Sequence, residues 1–97
     1  MDQGLFDFLT NEGYFDVREI PGHGYCGLHR MMFTVGLFVM MDRGGYDGRY
    51  CYPDLRSAID GIREWDGVGH PPGPWIKYKG SKGDFGNPRE NDEIKIA

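Results

Sequence analysis

Between Tyr46 and Lys79 the chain alternates turn chemistry with periodic apolar segments, and few folds accommodate that order. Arg49–Tyr52 reads as a strand. Pro53 stops it, because proline lacks the N–H a ladder bond needs, and Asp54 is a good cap for a following helix. Leu55, Ala58, Ile59, Ile62 and Trp65 then recur at i, i+3, i+4, i+7 and i+10, which is one helical face. Arg56 and Asp60 stand four apart on the wet side. Gly67 occupies the place where a left-handed residue ends a helix. A proline-stiffened loop over Gly67–Pro74 leads to a second strand, Trp75–Lys79, in which Trp75, Lys77 and Lys79 alternate with Ile76 and Tyr78.

Upstream, Gln3–Glu12 reads as a short helix. Asp2 caps it, Leu5, Phe6, Phe8 and Leu9 form its apolar side, and Gly13 ends it. Tyr14–Ile20 reads as a strand whose alternation, set by Phe15 and Val17, breaks at Glu19. Pro21–Gly22–His23–Gly24 is a turn. The most hydrophobic run is Met31–Met41. As a strand it places Phe33, Val35, Leu37, Val39 and Met41 on one face and Met32, Thr34, Phe38 and Met40 on the other, so it would be central and covered on both sides. A helix competes for so short a run. The β-branched and aromatic content, Gly36, and the hairpin signal Asp42–Gly48 favour the strand. Gly80–Pro88 reads as a connection, and Ile94–Lys95–Ile96 as a short edge strand or frayed tail. The expectation is a single α+β domain over 1–97: an antiparallel sheet of about four strands, one packed helix and a short N-terminal helix.

Charge narrows the function classes. The formal charge is −4 with pI near 5.2, which excludes a general binder of nucleic-acid backbones. The first twenty residues carry Asp2, Asp7, Glu12, Asp16 and Glu19 against Arg18 alone, whereas Lys77, Lys79 and Lys82 lie in a stretch without acids. Cys26 and Cys51 permit at most one disulfide. Met1–Asp2–Gln3 lacks the start of a secretory leader, and no apolar run reaches the roughly 18 residues that span a bilayer. A cytoplasmic location in the host cell, reduced thiols and no membrane partner are therefore expected.

Four constellations bear on chemistry. His23-x2-Cys26-x2-His29, with Cys51 and His70, holds every histidine and cysteine of the chain. Zinc takes four such ligands, but no CxxC pair is present, and the better reading is a glycine-rich loop with a buried Cys26, exposed histidines and no metal. The string Pro21–Leu28 loosely resembles the loop before the catalytic cysteine of papain-like and ovarian-tumour-type peptidases. His70 has no orienting acid, so no catalytic residue is assigned and no cofactor is expected. Asp60, Glu64 and Asp66 beside Arg56 and Arg63 read as a solvated, salt-bridged face. Arg49, Tyr50, Tyr52, Trp75, Lys77 and Lys79 are the candidate ligand-binding set: aromatic faces stack a planar ring and cations neutralise phosphates. Alternation puts Tyr50 with Tyr52, Arg49 with Cys51, and Trp75 with Lys77 and Lys79. Tyrosines and tryptophans that are core residues with bonded polar tips are the competing reading.

Phe33–Leu37, Gly48–Tyr52, Trp65–Gly67, Pro72–Gly80 and Asn87–Pro88 together resemble segments of small bacteriophage and prophage proteins, over roughly 25–88. The resemblance transfers no catalytic residue. It implies an accessory protein that inhibits host defence, anti-CRISPR-like, by binding a defence protein or complex without catalysis. In that reading Asp2, Asp7, Glu12, Asp16 and Glu19 mimic nucleic-acid phosphates toward a basic partner. The alternative it implies is a sponge for a cyclic or ADP-ribose-derived nucleotide messenger, with its pocket completed across a homo-oligomer. A small cysteine-dependent enzyme acting through Cys26 is the third reading.

Overall fold

The computed structural model describes residues 2–75 and 77–79. In chain order they form α1 (Gln3–Asn11), β1 (Phe15–Ile20), β2 (Gly24–Arg30), β3 (Val35–Met41), β4 (Gly48–Tyr52), α2 (Leu55–Glu64) and β5 (Lys77–Lys79). The strands make one antiparallel sheet in the order β1-β2-β3-β4-β5. The fold is therefore α+β, with a short fifth strand added to the four longer ones. The Gly80–Pro88 connection and the Ile94–Ile96 segment lie outside the described residues.

Both helices start on an aspartate cap. Asp2 Oδ1 accepts from the Leu5 N–H at 3.0 Å, and Asp54 Oδ1 from the Ser57 N–H at 2.8 Å. The second set of bonds holds the Asp54 carboxyl below its ordinary value. The two helices cover opposite faces. Ala58, Ile62 and Trp65 pack with Ile20, Cys26, Leu28, Val35, Leu37, Val39, Tyr50, Tyr52 and Trp75 on the α2 side. Leu9 packs with Tyr25, Phe38 and Met41 on the α1 side, flanked by Phe6, Phe8, Tyr14 and Val17.

The structure corrects several expectations. Residues 24–30 are not a glycine-rich loop but β2, with Tyr25, Cys26, Gly27 and Leu28 buried. Gly27 weakens the propensity signal, and it sits in a tight place: a Cβ there would lie 3.0 Å from Met41 Cε and 3.1 Å from Val17 Cγ2, so both side chains would have to give by a few tenths of an ångström. β3 begins at Val35, not Met31. Met31–Thr34 form the β2–β3 turn, closed by Met31 N–H donating to the Thr34 carbonyl at 2.8 Å, so Met32 and Phe33 leave the sheet. α2 ends at Glu64 and Trp65 is already extended, so Gly67 does not terminate the helix. Its φ of +94° serves the following loop.

Two bulges break the alternation. Met40 has φ +53°, and the register passes from Tyr25↔Met41 to Gly27↔Phe38, leaving one extra residue on β3. Val39 consequently faces α2 and Met41 faces α1, rather than sharing a face. Asp16 has φ +55° and the register passes from Phe15↔Leu28 to Arg18↔Cys26. Phe15 and Val17 thus sit on opposite sides, which explains the irregular pattern around Glu19. The Asp16 carboxylate accepts from Arg18 Nη2 at 2.7 Å and from Arg63 Nε at 2.9 Å, tying this bulge to the last turn of α2. Arg63 therefore pairs with β1 and not with the acids of its own helix. Arg56–Asp60, at 3.9 Å and exposed, contributes little.

Candidate functional site

Of the aromatic and cationic set, Tyr50, Tyr52 and Trp75 lie on one face of the sheet and Arg49 on the other. Tyr50, Tyr52 and Trp75 are 4%, 0% and 3% exposed and belong to the α2-side core. Their polar tips hold down the 66–75 loop. Tyr52 Oη donates to the Pro72 carbonyl at 2.7 Å, and Trp75 Nε1 to the Pro71 carbonyl at 3.0 Å. Tyr50 Oη and His70 Nδ1 share a hydrogen bond of 2.6 Å. The Tyr50 and Trp75 rings meet edge-on at 5.0 Å, His70 and Trp75 at 5.7 Å. At the start of the loop His23 Nε2 bonds the Gly67 carbonyl at 2.9 Å, while its ring lies 4.3 Å from that of Trp65. These rings stack on one another and seat the loop, as buried Tyr and Trp do when one end needs a polar partner.

Arg49 is on the α1 side, across from Phe38 of β3. Its Nη1 donates to Tyr46 Oη at 3.4 Å, and its Nε is buried with no hydrogen-bond partner. On the other flank of β4, Lys79 is the register partner of Arg49 and Lys77 that of Cys51. The two lysine positions therefore go with Arg49, and Trp75 lies in the core of the opposite face.

The histidines and cysteines do not converge. Cys26 lies on the α2 side, whereas Cys51 alternates with Tyr50 and Tyr52 onto the other face. His29 stacks edge-on against Tyr14 at 4.9 Å and bonds the Arg30 carbonyl through Nδ1. Among the described residues no three His, Cys, Asp or Glu side chains are placed to hold a metal ion. The Cys26 thiol points toward the His23 carbonyl at 3.5 Å, and burial pushes it from 9.0 up to about 12. A buried thiol held in its protonated form at neutral pH is a poor nucleophile. The folded state holds that proton where the unfolded chain releases it. The contribution to stability is thus complete below about pH 9 and is lost as pH rises toward about 12. Denaturant midpoints should stay flat to pH 9 and fall above it, with a shallower fall for Cys26→Ala. Both cysteines are buried, so a thiol reagent should label them only at the rate of unfolding.

Sequence reasoning missed the β2–β3 tip. Met32 and Phe33 are 87% and 84% exposed. A groove of about 240 Å³ runs between them and Pro53 and Leu55 at the start of α2. Their apolar character absorbed both residues into the strand. The missing signal was the short Met31–Thr34 turn, which carries no Gly or Pro. A second cleft, about 240 Å³, lies between α1 and the β3–β4 hairpin. Beside it the Arg43 guanidinium sits 5.1 Å from the Phe8 ring centre. Among the described residues no helix is long and apolar enough to cross a membrane. Comparison with protein-family models, with curated proteins and with solved structures finds no match.

Proposed function

We propose that this chain is a non-catalytic binding protein that docks on a partner protein through the β2–β3 tip, as a phage-type inhibitor of a host defence factor. The observation that supports docking is the paired exposure of Met32 and Phe33 on a hydrogen-bonded turn, beside an open groove. Adjacent large apolar side chains in water are unfavourable for an isolated domain and favourable for an interface. Full burial of each is worth about 1.5–3 kcal/mol, which is the scale of an interface hot spot. The partner chemistry is an apolar pocket that takes a Met–Phe pair, with Arg30 and Asp54 at the rim of the groove. The defence-inhibitor part rests on the sequence resemblance over 25–88.

The phosphate-mimic version is narrower than the sequence implies. Asp16 is committed to Arg18 and Arg63, and Asp2 to capping α1. Asp7, Glu12 and Glu19 remain exposed. Stacking a nucleotide base on Tyr50, Tyr52 or Trp75 would require unpacking the α2-side core, so the partner-protein reading has the better support.

The test is phage challenge of cells carrying individual defence systems, with and without the chain. Restored phage growth on one system, lost in Met32→Ser/Phe33→Ser, is the expected result. The double variant should keep its thermal midpoint, since exposed substitutions of this kind shift stability by about 0.5 kcal/mol or less. Equal activity of the variant would remove the tip from the interface. Failure against every system would remove the defence reading.

A further inference from the structure

We infer that the β2–β3 tip is self-complementary: without its target, the chain pairs two-fold symmetrically with a second copy of itself there, so self-association and target docking compete for one surface. This rests on the reading of the tip as a docking surface and adds its regulation.

The patch carries both halves of a contact. Met32 and Phe33, 87% and 84% exposed, stand on the Met31–Thr34 turn. The groove of about 240 Å³ beside them has Val35, Pro53 and Leu55 as apolar lining. A two-fold interface uses the same surface on both subunits, so each copy must present a knob and the hole that receives it. Here knob and hole are neighbours. A two-fold axis between them seats each tip in the groove of the other copy. A foreign partner would have to supply a matching pocket of its own, whereas a second copy already has one.

The charges at the rim obey the same symmetry. Arg30 is the register partner of Val35, and Val35 that of Tyr52, so the three stand in a row across β2, β3 and β4. With strands about 4.8 Å apart, Arg30 lies about 10 Å from Tyr52. Asp54 follows Tyr52 by two residues on that flank. The groove therefore has a cation at one rim and an anion at the other. A two-fold rotation about the middle of the row exchanges its ends, setting Arg30 of each copy against Asp54 of the other. Neither charge is spent on an ion pair within the chain. Among the described residues the ion pairs join Arg18 and Arg63 to Asp16, and Arg56 to Asp60. Arg30 is exposed, and the exposed Asp54 carboxylate caps α2 as an anion.

Size keeps the pairing transient. Nine residues line the groove, against roughly 20–30 a side in a standard stable interface. The formal charge of −4 on each copy also opposes association. A target that engages a larger surface displaces the second copy.

Sedimentation velocity of the full chain alone, from about 10 µM to about 1 mM, is the test. Monomer–dimer exchange with a dissociation constant weaker than about 1 µM is expected. Met32→Ser/Phe33→Ser should remain monomeric throughout. Arg30→Glu should weaken the dimer by about tenfold or more, because it opposes Asp54 of the other copy at two symmetric places. Adding Asp54→Asn, which retains a capping side chain, should recover part of that loss. Adding Asp7→Asn instead makes the same change in net charge on α1, away from the patch, and should recover less. A dimer that persists in the double serine variant, or equal recovery by Asp54→Asn and Asp7→Asn, overturns the pairing. A chain that is monomeric at every concentration, yet rescues phage growth through Met32 and Phe33, overturns the pairing and keeps the docking reading. Dimerisation through the tip without rescue against any defence system upholds the pairing and removes the target.

Discussion

Gly61→Ala should lower the thermal midpoint by about 15 °C, although alanine is the better helix former by about 1 kcal/mol. Gly61 lies in the middle of α2, directly over the Tyr52 ring. A Cβ at this position would overlap Tyr52 Oη and lie 2.7 Å from Cζ and 3.0 Å from Cε2. Tyr52 has nowhere to go. It is fully buried, and its hydroxyl is spent on the Pro72 carbonyl. Either α2 lifts from the sheet, or the ring tilts and leaves two polar groups unpaired. Overpacking costs about 1–3 kcal/mol, and a buried unpaired group about 1–3 kcal/mol. With the helix gain subtracted, about 3 kcal/mol remains, and each kcal/mol moves a domain of this size by about 4–8 °C. Thermal circular dichroism reads the shift. Tyr52→Phe removes the shortest of the overlapping contacts, so the double variant should lose less than the sum of the singles. An unchanged or higher midpoint for Gly61→Ala would refute the close approach of α2.

Gly67→Ala should be comparably damaging, for a backbone reason. Gly67 has φ +94°, and a Cβ there would overlap the Pro21 carbonyl oxygen and lie 3.3 Å from its carbon. Main-chain atoms cannot rotate aside as a side chain does. The 66–75 loop would have to lift, breaking the bond from His23 to the Gly67 carbonyl and loosening Trp65. Gly22 provides the control: its φ is +81°, but nothing lies within 4 Å of a Cβ built on it. Gly22→Ala should therefore cost only the left-handed penalty of about 1–2 kcal/mol. Gly67→Ala should cost about 3 kcal/mol, the added part being overpacking, with a red shift of tryptophan emission before global unfolding. Equal midpoints for the two variants would show that the Pro21 contact exerts no force.

What the sequence makes legible follows from where the determining forces lie. The caps at Asp2 and Asp54, the apolar stripe of Leu55, Ala58, Ile59 and Ile62, and the turn after Met41 are local, so both helices and β4 can be read directly. β2 is hidden because Gly27 sits close against Met41 and Val17, which arrive from other strands. The bulges at Asp16 and Met40 are harder still. Methionine does not announce a left-handed backbone and aspartate is only enriched there, and each bulge is imposed by the register of its neighbours. One extra residue is enough to send Val17 and Met41 to the face opposite the one that alternation implies. The separation of Trp75, Tyr50 and Tyr52 from Arg49 is hidden for the same reason. Whether Trp75 faces with Lys77 depends on where β5 begins and on what receives the indole N–H, and that receiver is a loop carbonyl at Pro71. The tip at Met32 and Phe33 was misread because hydrophobicity signals burial only when an element is present to cover it.

The strand order β1-β2-β3-β4-β5 also bears on how the chain acquires its structure in time. Each strand pairs with the one made just before it, and only α2 and its loop intervene before β5. Every closure is short, so little chain entropy must be surrendered before a contact forms. A nascent chain therefore has a partner for each strand as it emerges from the ribosome. The sheet grows in the direction of synthesis, and among the described strands the lysine-bearing one is the last to be laid down.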